Sequence, residues 1–335
     1  MAKRGKKNAV LGMDLGTQSV KTVEMVRKGE DLAVVACVYE PVDDASLYDE
    51  AIKRAVKSAK AKKVVIGFGG RSTLIQNLTL PANRQDELDA AVLEEAEKYI
   101  PYDISEAQLD YHVLPGAADG QIRAILAAAR QQDIADKLDI LFQAGVTPAR
   151  IDVELVALAN ALETANLDGS LLGLGRAGGM VNFGASKTLI AISDGVNTVF
   201  RDFPVGGIAL TELISQRLGC DLAEAERFKL RPGDRLDTVK DAIYPGLEDI
   251  AGEIRSCLDT FKSAAGGKEA ARLFLSGGLV GFAGVADLIG RMTQIETSVF
   301  DSFGSVDAGK ATADVVEAHG HELAVAFGLA CHARD

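Results

Sequence analysis

The sequence predicts a two-lobed α/β protein, and three observations carry that prediction. The first is a matched pair of glycine turns: Val10-Leu-Gly12-Met-Asp14-Leu-Gly16-Thr17-Gln18-Ser19-Val-Lys21, and Met180-Val-Asn182-Phe-Gly184-Ala185-Ser186-Lys187-Thr188-Leu-Ile. Each runs from apolar residues through one polar residue to a glycine, a short hydroxyl-bearing turn and a second apolar run, which is the grammar of a β-hairpin. Gly16 and Gly184 stand half the chain apart, so they point to an internal duplication rather than a short repeat array. The second observation is the alternation of strand and helix patterns in both halves, the mark of an α/β fold. The third is length: 335 residues suit about two lobes of ~150 each and can bury a core without disulfide or metal staples.

In the first half, Leu47 to Lys60 reads as helix, Val64 to Phe68 as strand and Leu74 to Leu80 as an alternating strand. Gln85 to Tyr99 is an amphipathic helix ended by Pro101, with Leu88, Ala91, Val92, Glu95 and Tyr99 at helical spacing. Leu109 to Leu114 and Ile122 to Ala129 pair across Pro115–Gly120. Asp133 to Ala144 is a helix closed by Gly145, and Ile151 to Val153 leads into a helix through Ala165. In the second half, Ile208 to Leu218, Leu222 to Phe228 and Thr238 to Ala264 are helical. Leu273 to Leu275 is a strand, and Val285 to Met292 and His321 to Ala330 are helices. The expected organisation is 1–71 with 151–176 as the first lobe, 72–150 as an inserted strand–helix–strand–strand–helix subdomain, and 177–335 as the second lobe. Asp168 to Gly179, rich in Gly and Leu, is the linker.

Composition excludes several classes. Lys+Arg 36 against Asp+Glu 48 gives a net charge of −12, which lacks the basic face a nucleic-acid binder needs. Lys3, Arg4, Lys6 and Lys7 run against that balance; a solvated terminus is the ordinary reading and contact with an anionic membrane the other. The apolar stretch from Ala9 meets Asp14 too early for a signal peptide, and no segment reaches the ~18 apolar residues of a membrane span, so a soluble cytoplasmic protein is expected. Cys37, Cys220, Cys257 and Cys331 have no metal-ligand or redox spacing and read as free thiols. His319-Gly320-His321 lacks a ligand partner at metal spacing and reads as a loop.

The 34 glycines are an excess, and they are placed at the chemistry. A hairpin turn presents consecutive backbone N–H groups in a concave nest, and glycine removes the side chain that would block a phosphate. Thr17 and Ser19 add hydroxyls, Lys21 positive charge, and Asp14 an oxygen suited to water around magnesium. Either hairpin alone is equally an ordinary turn; two equivalent ones can clamp a phosphate chain from both sides. Ser276-Gly277-Gly278 follows a strand and admits a flat base or ribose, or is a plain strand-to-helix turn. Glu226 and Lys229 share a helix face, to reach a ribose or base edge, or to form an exposed ion pair.

The order of these elements resembles the actin/heat-shock-chaperone/sugar-kinase ATPase fold, and within it the FtsA/PilM-like family, over nearly the whole chain. The segments that carry the resemblance are Gly12-Met-Asp14-Leu-Gly16 with Ser19-Val-Lys21, Lys98-Tyr-Ile-Pro101-Tyr, Leu109-Asp-Tyr111, and Gly145 through Ile151-Asp152-Val-Glu154. Phe203-Pro-Val-Gly-Gly207, Ala225-Glu-Arg-Phe-Lys229, Leu275-Ser-Gly-Gly278 and Ala324-Val-Ala-Phe-Gly328 complete the set. The resemblance implies a two-lobed actin-like body with the family's inserted subdomain, and ATP with Mg2+ in the cleft. It implies nucleotide contacts from Gly16, Thr17, Gln18, Ser19, Lys21, Asn182, Gly184, Ala185, Ser186, Lys187, Glu226, Lys229, Gly277 and Gly278. It also implies a partner, the short cytoplasmic N-terminal peptide of a PilN-like bitopic membrane protein, and a cytoplasmic role in a type IV pilus inner-membrane assembly complex, as a ring or other homo-oligomer touching the membrane only through that partner. The FtsA branch carries a C-terminal amphipathic membrane helix, whereas this chain stops at Asp335 after a small-residue helix.

One position departs from the family pattern. Asn182 stands where the second hairpin usually has Asp; it keeps an oxygen for metal-bound water but loses the charge. Slow or absent hydrolysis is therefore expected, with Asp14 the principal metal-water residue and Asn182 a weak one. Asp152 and Glu154 are the candidates to orient an attacking water, or are simply a helix-start pair favoured by the dipole. The alternatives are a small-molecule kinase of the same fold and a filament-forming FtsA-like scaffold.

Overall fold

Ala9–Leu15 forms β1 because its residues are apolar on both faces, as a strand covered on both sides requires. It pairs antiparallel with β2 (Ser19–Lys28), which turns at Gly29 and pairs antiparallel with β3 (Asp31–Pro41). Helix α1 (Tyr48–Val56) packs on β2 and β3, and β4 (Lys63–Phe68) lies parallel to β1. After an inserted segment, β8 (Arg150–Val153) completes this side of the sheet and leads into helix α4 (Glu154–Ala165). The computed structural model describes residues 9–42, 44–70, 72–81, 88–114, 120–166, 169, 176–309 and 312–334. The basic tail Lys3 to Lys7, residues 85–87 of the predicted helix, turn residues 115–119, and residues 168 and 170–175 of the predicted linker lie outside the described residues.

The second half repeats the plan. Antiparallel β9 (Ala177–Phe183), β10 (Thr188–Ser193) and β11 (Thr198–Phe203) are followed by helices α5 (Gly207–Leu218), α6 (Leu222–Leu230) and α7 (Leu236–Ala264). Strand β12 (Ala270–Gly277) lies parallel to β9, and after α8 (Val285–Thr293), β13 (Thr297–Val299) lies parallel to β12. The first sheet contains the run β3-β2-β1-β4-β8 and the second is ordered β11-β10-β9-β12-β13, so the duplication expected from two turns extends through five strands of each half. Each predicted hairpin is in fact the first turn of a three-stranded meander. Val181, Ile190 and Ile192 of the second sheet pack on Leu210, Ile214, Leu247, Ile250 and Ile254 of α5 and α7, a core of residues with almost no exposure.

The C-terminal segment departs from the expected boundary at 177–335. Strand β14 (Asp307–Ala308) pairs with β3, helix α9 (Ala313–His319) packs on β3, and helix α10 (Ala324–Ala330) lies against β1, β2 and α4. Residues 307–309 and 312–334 thus return to the first sheet. The reason is in α10 itself: every residue is apolar or small and every one is buried, so the helix has no face to offer water. It crosses α4 with backbone in contact with backbone. A Cβ on Gly328 would stand 1.8 Å from the Ala157 carbonyl oxygen, and one on Gly12 of β1 only 2.2 Å from the Ala326 oxygen. The small residues of α4, Ala157 and Ala161, complete the close approach.

Phe68–Thr147 forms a separate unit, against the expected 72–150. Its strands β5 (Leu74–Pro81), β6 (Ala107–Leu114) and β7 (Gln121–Arg130) make an antiparallel sheet in the order β5-β7-β6, with helices α2 (Leu88–Ala96) and α3 (Gln131–Gln143). Leu78 and Leu80, with Ile122, Ala124, Leu126 and Ala128, alternate onto one face and bury Ala91, Val92 and Ala96 of α2.

Gly328→Ala will lower stability by about 3 kcal/mol, because neither backbone can withdraw from the added methyl. In a thermal melt this is a fall in Tm of about 4 °C for a chain this size. Gly252→Ala, inside α7 with only the Arg255 guanidinium within 4 Å of the built Cβ, is the control and will be neutral or stabilising.

Candidate functional site

The two hairpin turns close identically: the Gly16 N–H donates to the Ser19 carbonyl at 3.0 Å, and the Gly184 N–H to the Lys187 carbonyl at 2.9 Å. Glycine is required by space, since Cβ atoms there would lie 3.0 and 2.8 Å from those same oxygens. Their tips meet, with Thr17 Oγ1 and Ser186 Oγ 3.0 Å apart. The structure therefore brings the residues of both predicted phosphate turns to one place.

Behind the first turn, Asp14 and Lys21 are cross-strand partners, both buried, with Nζ 3.2 Å from Oδ2. Burial pulls the Lys21 ammonium down, but Asp14 and then Glu322 outweigh it and hold the group above the usual lysine value. The Tyr48 hydroxyl donates to the Gly16 carbonyl at 2.9 Å, fixing the turn from α1. Tyr39, opposite Lys21 on β3, stacks on His319 with ring centroids 3.9 Å apart, and His319 Nδ1 lies 3.1 Å from Glu322. Glu322 also faces Gly278, whose built Cβ would be 3.5 Å from Oε2. The return segment thus delivers a carboxylate between the first turn and the Gly277-Gly278 element. Gly277 itself has φ +91°, and a Cβ there would lie 2.3 Å from the Phe183 oxygen. A short 3-10 turn follows, in place of the helix expected directly after the glycine pair.

The second turn is built differently. Asn182 is the counterpart of Asp14, and its Oδ1 accepts the Ser276 hydroxyl at 3.0 Å, so the acceptor oxygen is engaged inside the sheet. Lys187, the counterpart of Ser19, puts its ammonium 2.8 Å from Glu154 of α4 and 3.0 Å from Asp202 of β11. The Gly207 and Ile208 N–H groups at the start of α5 donate to the Gly184 and Ala185 carbonyls at 2.9 and 2.8 Å. Lys229 reaches under this joint, donating to the Gly207 carbonyl at 3.0 Å, Thr211 Oγ1 at 2.7 Å and Glu226 at 2.6 Å. Burial lowers its pKa against the pull of Glu226. The Glu226–Lys229 pair is thus half in the core rather than on an exposed helix face.

Asp152 is not brought to this group by any of its bonds: Oδ2 lies 2.8 Å from His332 Nε2 and Oδ1 accepts the Val153 N–H. Among the described residues, no cluster of three or more His, Cys, Asp or Glu side chains is disposed to hold a metal ion, and no helix is long and apolar enough to cross a membrane. Sequence reasoning missed Tyr39, Tyr48, Asp202, Thr211 and Glu322. A signal existed for two of them: Asp202 directly precedes the Phe203–Gly207 motif, and Glu322 is the last charge before the apolar run of α10.

Two halves of one topology, facing each other across paired glycine turns, define an actin-like ATPase fold. The sequence profile of a known family, the type IV pilus assembly protein PilM, matches residues 12–334. A solved PilM–PilN type IV pilus biogenesis complex is similar to this chain at 26% identity over 97% of it and 98% of that chain, with TM-score 0.83. The ethanolamine utilization protein EutJ from Carboxydothermus hydrogenoformans is similar at 15% identity, over 96% of this chain and 89% of that one, with TM-score 0.54, a likeness of fold. The chain belongs to the PilM family of type IV pilus assembly proteins.

Lys21 and Lys187 sit above the ordinary lysine value of 10.5, and Tyr39 and Tyr48 above the ordinary tyrosine value of 10.0. Each group binds its proton more tightly folded than unfolded. Its contribution to stability is complete below the unfolded value and is lost as pH rises through the folded one. Thermal melts will therefore fall above about pH 10, and Asp14→Asn will flatten the part of that fall owed to Lys21.

Proposed function

We propose that this pilus assembly protein binds ATP with Mg2+ between the two glycine turns and uses the bound state to present a docking groove to a PilN-like partner. The observation that carries the reading is the meeting of Thr17 and Ser186 at 3.0 Å, which makes two turns from opposite halves into one clamp. The residues fit the ligand. Backbone N–H groups at 17–18 and 185–186, the hydroxyls of Thr17, Ser19 and Ser186, and the Lys21 ammonium suit phosphate oxygens. Gly277 closes on the Phe183 backbone, and the nucleoside would lie by Gly278, where a Cβ would meet only the Glu322 carboxylate, with Glu226 and Lys229 on the α6 side.

Charge supports the metal. Lys21, Lys187 and Lys229 face Asp14, Glu154, Asp202, Glu226 and Glu322, an excess of carboxylates that disfavours a bare polyanion and favours one carrying a divalent cation. Asp14 would hold that cation through water; bound Mg2+ would neutralise phosphate charge. Hydrolysis is slow or absent in this reading, because Asn182 lacks the charge of an aspartate, Asp152 is turned to His332, and Glu154 is held by Lys187.

The partner is the N-terminal cytoplasmic peptide of a bitopic PilN-like protein, taken up near the 68–147 unit. The similarity to the solved PilM–PilN complex over 97% of the chain supports it. The protein would sit in the cytoplasm, as a ring or other oligomer, peripheral to the inner membrane through that partner.

Titration with a fluorescent ATP analogue will show binding that needs magnesium and weakens at least about tenfold in Asp14→Ala, as expected for loss of one charge-assisted contact. Binding that ignores both magnesium and Asp14→Ala contradicts the nucleotide reading. Calorimetry with an apolar PilN-like N-terminal peptide will give a saturable signal; a flat thermogram at high protein concentration contradicts the partner reading.

A further inference from the structure

Topology makes Ser19 and Lys187 equivalent, the last residues of the two glycine turns, yet their surroundings differ. Ser19 is a small hydroxyl at the back of its turn, whereas Lys187 reaches out of its own half. Its ammonium is 2.8 Å from Glu154, at the first turn of the helix that follows the first sheet, and 3.0 Å from Asp202 on β11. Glu154 is a carboxylate only 7% exposed, with Gly67 leaving room beside its Cγ. A carboxylate so far from water is tolerable only with a cation at contact distance. Burial pulls Lys187 down, but Glu154 and Asp202 outweigh it and keep the ammonium charged. The second turn is tied to the first half again at its tip, where Ser186 meets Thr17 of the first turn.

We propose that Lys187 is a positioning residue: it latches the second turn to α4, and by holding Glu154 it keeps that carboxylate from orienting water. The first half of this statement concerns the protein alone. The second rests on the nucleotide reading above. Lys187 then acts as a brake built into the turn, where its sequence position had suggested a phosphate ligand. Closure of the clamp is set by contacts between protein side chains, which bound nucleotide would reinforce.

Two readouts test this on the full chain. In nucleotide-free protein, hydrogen–deuterium exchange of Lys187→Gln will rise about tenfold at residues 184–187 and 154–157, while Lys187→Arg stays near wild type. If Lys187→Gln does not fold, Glu154→Gln, which removes the other charge of the pair, will loosen the same two segments. In single-turnover hydrolysis of ATP with Mg2+, Lys187→Gln will be about tenfold faster than wild type at similar analogue affinity, and Glu154→Gln/Lys187→Gln will fall back to the wild-type rate. Unchanged exchange in both single variants overturns the latch. Lost analogue affinity without faster turnover makes Lys187 a phosphate ligand and overturns the brake. Should wild type bind no nucleotide, the reading of function fails, and the exchange experiment still decides the latch.

Discussion

Gly328 lies against the carbonyl of Ala157, and the rest of the molecule is arranged around that contact. It lets α10 and α4 cross with no side chain between them. Strand β1, through Gly12, packs directly on α10. The three backbones are thereby stacked with no room for a Cβ at Gly12 or Gly328. Because α4 carries Glu154 and leads toward the second sheet, and β1 carries Asp14 into the first turn, this crossing determines where both glycine turns point. A methyl group at either glycine would separate elements on which the site depends.

Charge is managed within that frame by close pairing. Each lysine of the site is buried or half-buried and each is held by carboxylates: Lys21 by Asp14, Lys187 by Glu154 and Asp202, Lys229 by Glu226. Pairs of this kind are costly to break and add little net stability, so their value is in fixing geometry. The halves have diverged in how they do it. The first half keeps a cation and a carboxylate opposite each other within one hairpin. The second has Asn182 and Leu189 at those positions and moves its cation to the turn, where it reaches the other half. A duplicated scaffold has become an asymmetric site.

Much of this was legible in the sequence, because the informative residues are local. Glycine spacing, alternation and helix stops exposed the duplication, both turns, the inserted strand–helix–strand–strand–helix unit and most helices. The third strands were not legible: β3 and β11 are defined by pairing to their neighbours, and the run Leu32 to Val38 lacks the clean alternation that announces a strand. The return of β14, α9 and α10 to the first sheet is a long-range event, visible only afterwards in the uniform burial of α10. Glu322 entered the site for the same reason, whereas Tyr39 and Asp202 came in on the third strands β3 and β11. Asp152 illustrates the converse, a residue next to Glu154 in sequence whose side chain turns to His332 instead.

In the proposed function the two glycine turns serve one nucleotide whose base lies by Gly277 and Gly278. Photolabelling with 8-azido-ATP, followed by mass-spectrometric mapping of the modified peptides, tests it directly. Magnesium-dependent labelling, displaced by ATP and confined to peptides containing residues 226–229 or 277–282, is expected. Label on the 68–147 unit, or label that ATP does not displace, would contradict it.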